Sequence, residues 1–184
     1  MIPLLDLKPQ YQSIKEEIRT TIDNVLDKGF FVLGENVTLL EKEIARYCGA
    51  QYAVGVASGT DALLLSFKAL GLGQDDEVIT TPFTFIATVE AIRKTGARVV
   101  FADVDSRTFN IDPADIAKKI TAETKAIVPV HMYGQMCLMG PILDLAQKHS
   151  LKIIEDCAQS IGAVYKNRKA GSIGDLGCFS FFPS

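Results

Sequence analysis

The sequence predicts an α/β fold in three layers, a mostly parallel sheet between two layers of helices. Two observations carry the prediction. From about residue 52 short apolar runs alternate with segments of helical period, the pattern of βαβ units. The runs are also continuous, as in Ala53-Val54-Gly55-Val56, Arg98-Val99-Val100-Phe101 and Ile127-Val128-Pro129-Val130. Strands read that way when helices cover both faces of their sheet. With 184 residues the chain has room for one domain and a sizeable core.

The elements follow in order. Tyr11, Ile14, Ile18, Ile22, Val25 and Leu26 recur at helical spacing, which predicts a helix over 9–28 between Pro9 and Gly29. Gly29-Phe30-Phe31-Val32-Leu33-Gly34 is an apolar loop bracketed by glycines, and a second helix is expected over 36–48, stopped by Gly49. Then the alternation begins. A strand is predicted over 52–56, a helix over 60–70, a strand over 78–80, a helix over 86–94 and a strand over 98–102. A helix over 113–120 has Asp112 as its N-cap. A strand over 126–130, a helix over 139–149 and a strand over 152–154 complete the regular part. After Ile161 the rhythm changes: 162–173 reads as a hairpin turning at 166–169, and Leu176–Phe182 as a last strand with no helix before it. No internal repeat, low-complexity segment or linker interrupts the chain.

Charge and composition exclude several functions. A net charge of −3 shows no basic footprint for nucleic acid or an anionic membrane. No apolar run approaches the ~20 residues that span a bilayer, and the first residues lack a basic and then apolar leader. The four cysteines form no C-x-x-C pair and have no histidine at metal-ligand spacing, so no metal site is expected. Isolated thiols suit a reducing cytoplasm. There is no G-x-G-x-x-G after the first strand, no phosphate-binding G-x-x-x-x-G-K-[ST] and no G-x-S-x-G elbow.

Ligands of open parallel sheets bind beyond the carboxyl ends of the strands. Ser58-Gly59-Thr60 lies where a helix starts, and serves either as a plain cap or as an anion cup made of free N–H groups. Phe83 and Phe85 lie in the loop after the second strand, as core residues or as the cover of a flat ring. His131 reads as a satisfied interior histidine rather than a catalytic one. Glu155 and Asp156 follow a strand that should be buried, where an ionised carboxylate costs several kcal/mol unless paired. It either caps the next turn or faces a cationic ligand. Asp103 and Asp105 suit turn or cap roles. Together an anion cup, an aromatic lid, a buried carboxylate and a terminal polar residue suit a flat, phosphorylated, protonated heteroaromatic ring.

The runs 58-SGTDAL-63, 81-TPFTFIAT-88, 155-EDCAQSIGAVY-165 and 174-GDLGCFSFFPS-184, with Pro3-Leu4-Leu5-Asp6-Leu7 and 29-GFFVLG-34, resemble the DegT-type family of pyridoxal-phosphate sugar aminotransferases. The resemblance runs from one end of the chain to the other. It implies the large domain of the fold type I architecture over 35–184, preceded by a helix and loop over 1–34 that pack on a further domain. It also implies a lysine at position 185, one residue past Ser184, so that no catalytic residue falls in this sequence and the chain is the front of a longer one.

The resemblance implies pyridoxal 5′-phosphate as cofactor and assigns its partners by position. Asp156 would pair with the pyridine nitrogen, Phe85 stack on the ring, and Gln159 approach the phenolic oxygen or the substrate. Gly59, Thr60 and Asp61 would hold the phosphate through backbone N–H groups and the Thr60 hydroxyl, with Ser180 adding its own hydroxyl. Glu155 is expected to be structural. The reaction implied moves an amino group, from glutamate, to a keto group of a nucleotide-linked sugar, in a cytoplasmic homodimer. Two rivals remain: a sugar dehydratase with histidine at 185, and a non-catalytic regulator reusing the fold.

Overall fold

The computed structural model describes residues 5–182. The opening Pro3-Leu4 and the terminal Pro183-Ser184, both used above, lie outside them. Helices α1 (Lys8–Lys28), α2 (Glu35–Cys48) and α3 (Gly59–Ala69) come first, followed by β1 (Glu77–Thr80), α4 (Ile86–Thr95) and β2 (Arg98–Phe101). Next are α5 (Pro113–Lys119), β3 (Thr124–Ile127), α6 (Met139–His149) and β4 (Lys152–Asp156). A small ribbon, β5 (Val164–Tyr165) with β6 (Arg168–Lys169), precedes β7 (Leu176–Cys178).

The main sheet has the order β2-β1-β3-β4-β7, and every pairing in it is parallel. Side chains alternate between its faces, and two cores result. Ile79, Ile127 and Ile153 pack with Ile116, Met139 and Ile142 of α5 and α6. Val78, Ala126 and Ile154, each one residue away, pack with Leu63, Phe67, Ala91 and Ile92 of α3 and α4. Continuous apolar strands are thus explained: both faces are covered. The chain leaves β1 toward β2 and then crosses to β3 on the other side of β1. The order therefore reverses between β1 and β3, where such sheets open a crevice at their carboxyl ends.

Three expectations need correction. Residues 52–56 form no regular element and belong to no ladder; Tyr52 and Val54 stand exposed, and the Gly55 N–H donates to Glu41 Oε1 of α2 at 2.7 Å. A strand needs a neighbour, and among the described residues none pairs with this stretch. The last strand stops at Cys178 rather than Phe182, because its ladder with β4 ends at the Asp156–Cys178 pair. The fifth predicted strand, in contrast, runs further than 152–154: Glu155 and Asp156 are its last two residues rather than the residues that follow it.

Smaller predictions meet their physical reasons. Asp112 caps α5 by accepting the Ala114 N–H. Asp103 accepts the Val104 N–H and Asp105 those of Arg107 and Thr108, all turn contacts. The hairpin turns at Lys166 and Asn167, both in the left-handed region that two-residue hairpin loops require.

Candidate functional site

Asp156 ends β4 and is 5 % exposed. Its Oδ2 accepts the Thr88 hydroxyl at 2.8 Å and its Oδ1 the Ala158 N–H at 3.2 Å. Burial pushes the carboxyl above its ordinary pKa, and Thr88, Ala158 and His131 offset only part of that effect. Among the described residues no lysine or arginine pairs with it. A buried acid in this condition lacks a cation.

Glu155, one residue earlier, points to the opposite face and has different company. It is fully buried, accepts the Ile173 and Gly174 N–H groups at Oε1 (2.7 Å each), and accepts Gly171 N–H at Oε2. His131 Nε2 lies 2.9 Å from the same Oε2. Burial opposes ionisation of Glu155, but the hydrogen bonds of His131, Gly174 and Ile173 outweigh it and leave the carboxyl below its usual range. His131 Nδ1 accepts the Cys137 N–H, so the ring proton sits at Nε2 and is donated to Glu155. The histidine is thus an interior, satisfied one, and Glu155 is structural.

With Cys157, these two residues form the one group among the described residues whose donor atoms converge as metal ligands do, within 4.8 Å. Sequence spacing gave no sign of it. Both imidazole nitrogens and both carboxylate oxygens already carry hydrogen bonds, and burial lifts the Cys157 thiol well above its ordinary pKa. The arrangement is explained by anchoring the 171–174 loop.

The stretch expected to be an anion cup is the start of α3. Gly59 and Thr60 are the first two helical residues, whose N–H groups have no intrahelical acceptor. Asp61 differs from its expected role: its N–H is donated to Ser58 Oγ at 3.1 Å, and Ser58 Oγ contacts Asp61 Oδ2 in return. Ser58 is therefore both the cap and a competitor for that donor. Across from the cup lies Ser180, carried there by the chain leaving β7. A Cβ built on Gly59 would come 2.8 Å from Ser180 Cβ and 3.1 Å from its Oγ. Gly59→Ala is therefore expected to displace Ser180 and weaken binding of a phosphorylated ligand about tenfold, the worth of one hydrogen bond to a charged group. Titration of pyridoxal 5′-phosphate into the variant checks this. Unchanged affinity would remove Ser180 from the cup.

Phe85 is the residue preceding α4 and is 72 % exposed, free to cover a flat ligand. Phe83 instead packs with Phe109 and Tyr133, centroids 5.7 and 6.4 Å away. Gln159 Oε1 accepts the Tyr133 N–H at 3.1 Å, which orients the amide and leaves its NH2 as the outward donor. The sequence does not single out Thr84, Thr88 or Tyr133. The signal available for Thr88 was a hydroxyl on the helical face that carries Ala91 and Ile92.

By kind, the residues are a buried acid, an exposed aromatic residue, an amide donor and a helix start with Ser180 beside it. That set fits a protonated, phosphorylated ring. Residues 12–184 match the model of the DegT/DnrJ/EryC1/StrS aminotransferase family. The chain belongs to that family.

Within the DegT/DnrJ/EryC1/StrS family, the chain is 51 % identical to the UDP-N-acetyl-3-dehydro-alpha-D-glucosamine 3-aminotransferase of Acidithiobacillus ferrooxidans, over all of this chain and 50 % of that protein. It is 46 % identical to the pleiotropic regulatory protein of Geobacillus stearothermophilus, over all of this chain and 49 % of that one. Among solved structures, S. venezuelae DesV in complex with a ketimine intermediate superposes with a TM-score of 0.96, at 41 % identity, over 99 % of this chain and 49 % of DesV. The chain spans about half the length of the curated relatives it matches. The fold is that of the fold type I aminotransferases, as expected from the sequence.

Proposed function

We propose that this chain forms the cofactor-binding part of a pyridoxal 5′-phosphate-dependent aminotransferase acting on a nucleotide-linked keto sugar, with glutamate as amino donor. The observation that carries the reading is Asp156: a buried carboxylate, raised in pKa by burial, held at both oxygens and paired with no lysine or arginine among the described residues. When bound, the cofactor's charged ring draws off the electron pair left as a substrate α-proton departs.

The chain's own residues do the rest. Asp156 keeps a proton on the ring nitrogen, since opposite charges at hydrogen-bond distance favour both ionised forms. Phe85 fixes the plane of the ring without competing for its protons. The NH2 of Gln159 donates to the phenolic oxygen. Gly59, Thr60 and Ser180 hold the phosphate, and Asp61 contributes as far as its N–H is shared with Ser58. The Acidithiobacillus relative is named for the 3-keto position of its sugar, which supports carbon 3 as the site of amination here.

The rest of the assembly follows the same reading. Residues 1–34 act as an arm on a further domain, and 35–184 as the large domain. In support, Tyr11, Ile14, Ile22 and Leu26 of α1 and Phe30–Leu33 of the following loop are all exposed and apolar. The loop also suits the interface of a homodimer. No helix among the described residues is long and apolar enough to cross a membrane. Four free, buried cysteines fit a reducing cytoplasm.

Absorbance titration with pyridoxal 5′-phosphate and with phosphate-free pyridoxal tests the proposal. The phosphorylated form is expected to bind at least about tenfold more tightly, since the cup supplies charge-assisted hydrogen bonds. Equal affinity, or no binding of either, would overturn it.

A further inference from the structure

Thr84, Thr88 and Asp156 lie in one line of hydrogen bonds. Thr84 Oγ1 is 2.9 Å from Thr88 Oγ1, and Thr88 Oγ1 is 2.8 Å from Asp156 Oδ2. Thr88 is 1 % exposed, on the first turn of α4; Thr84 precedes that helix. A hydroxyl has one proton to give, and an ionised carboxylate can only accept. The Thr88 proton must therefore go to Asp156, so the lone pairs of Thr88 Oγ1 are left to receive the Thr84 proton. The row has a single polarity as long as Asp156 is charged. Bonds arranged this way strengthen one another in a low-dielectric interior. Protonation of Asp156 would remove the acceptor at its end and force the row to reorganise.

We propose that Thr84 and Thr88 form a two-hydroxyl relay that aims the Asp156 carboxylate and holds it ionised for the ring nitrogen of the cofactor. Thr88 is a positioning residue: it acts only through Asp156. The inference rests on the cofactor reading above and deepens it by naming what tunes its central acid. The Ala158 N–H on Oδ1 and the Thr88 hydroxyl on Oδ2 together fix the plane of the carboxylate. The remaining titratable neighbours are His131 beyond β3, Glu155 and Cys157 around the end of β4, and Cys178 of β7. Burial raises the Cys157 thiol well above its ordinary value and the Cys178 thiol to about 12, so neither supplies a competing charge at neutral pH. The His131 proton is committed to Glu155. Among the described residues, Thr88 is the one side chain that hydrogen-bonds the Asp156 oxygens, so it is the partner that substitution can change.

Two measurements on Thr88→Val, Thr88→Ser and Thr84→Val test the relay. The first compares binding of pyridoxal 5′-phosphate with that of its 1-deaza analogue, which has carbon in place of the ring nitrogen. Thr88→Val is expected to weaken the natural cofactor about tenfold, the worth of one hydrogen bond to a charged group. Affinity for the deaza analogue should stay within about twofold, because that probe asks nothing of the Asp156 charge. Thr88→Ser restores the bond and should bind both probes as the parent does. Thr84→Val should give a smaller loss with the same selectivity. An equal loss for both probes would mean that Thr88 only packs, and no loss for either would mean that the relay is idle; each overturns the inference while leaving the cofactor reading intact. Failure of the parent chain to bind either probe overturns the cofactor reading instead. The second measurement is independent of cofactor: carbon-13 NMR titration of the Asp156 carboxyl. Its midpoint should move to higher pH in Thr88→Val and return in Thr88→Ser. An unmoved midpoint refutes the relay on its own.

Discussion

Asp156→Asn should lose cofactor affinity about a hundredfold and, at pH 7, make the cofactor-free chain more stable than its parent. The first effect follows from removing a buried charge partner. A hydrogen bond between ionised groups is worth about 1.5–3 kcal/mol, which converts to roughly ten- to a hundredfold, and a dry setting favours the upper end. The second effect has the same origin. Without a cation above it, Asp156 is an acid held in a place that resists its ionisation, and burial raises its pKa. The native state therefore binds its proton more readily than the unfolded chain does. Stability from this group is greatest at low pH and falls as pH rises through the unfolded value of about 3.9 and the higher folded one. Asparagine keeps the Oδ1 acceptor for Ala158, and its NH2 can donate to Thr88 Oγ1 after that hydroxyl turns. The expected gain is about 1 kcal/mol at pH 7, vanishing near pH 3. Urea unfolding at the two pH values reads the stability, and cofactor titration reads the affinity. A variant that binds pyridoxal 5′-phosphate as well as the parent would remove Asp156 from the centre of the site. A site that is destabilising until occupied is what a preorganised pocket for a cationic ring should look like.

The acid was legible in the sequence because its cost was legible. A carboxylate at the end of Lys152-Ile153-Ile154 stands out against an apolar run, and the physics of burial asks for its partner. The cup was legible for a similar reason, since Ser58-Gly59-Thr60 combines a cap with a residue that has no side chain. Thr88 was not legible. Threonine in the first turn of a helix is unremarkable by composition, and its contact with Asp156 joins residues 68 apart in sequence. Tyr133 was hidden differently: it orients Gln159 through its backbone N–H, and side-chain identity says nothing about that. The two overextended strand predictions share one cause. Residues 52–56 and 179–182 have the apolar content of strands, but a ladder is a property of two segments, and pattern alone reports one. The boundary error at β4 had a consequence for chemistry. Placed after the strand rather than in it, Glu155 and Asp156 carry no face assignment, and their different roles rest on the resemblance alone. As adjacent strand residues they face opposite sides of the sheet, which gives each its own.

That division makes Glu155→Gln the most damaging conservative change expected in the chain. The side chain accepts four hydrogen bonds: two N–H groups at Oε1, and Gly171 N–H with His131 Nε2 at Oε2. A glutamine has one oxygen and one NH2. Whichever way the amide turns, its NH2 meets two donors, and neither Gly171 nor the Ile173–Gly174 pair can offer anything but N–H. His131 cannot rescue the contact by moving its proton, because Nδ1 is already an acceptor for Cys137 N–H. Two buried donors left unmatched cost about 1–3 kcal/mol each, so a loss of about 3 kcal/mol or more is expected. The damage should travel. The Glu155-anchored loop passes directly over β7, so close that a Cβ on Gly177 would overlap the backbone of Gly171. Strand β7 leads to Ser180, so loosening the loop should also weaken phosphate binding. The pH dependence separates this from the Asp156 case. Glu155 has a folded pKa below its ordinary value, so its contribution is fully present above the unfolded value of about 4.3 and is lost as pH falls through the folded one. Parent and Glu155→Gln should therefore differ most at pH 7 and converge in acid, with the parent the more stable. Asp156→Asn should also converge with the parent in acid, but from the other side, with the variant the more stable. Urea unfolding of both variants across pH 3–7 checks the pair in one experiment. Slopes of the same sign would refute the assignment of one carboxylate to holding the fold and the other to holding the cofactor.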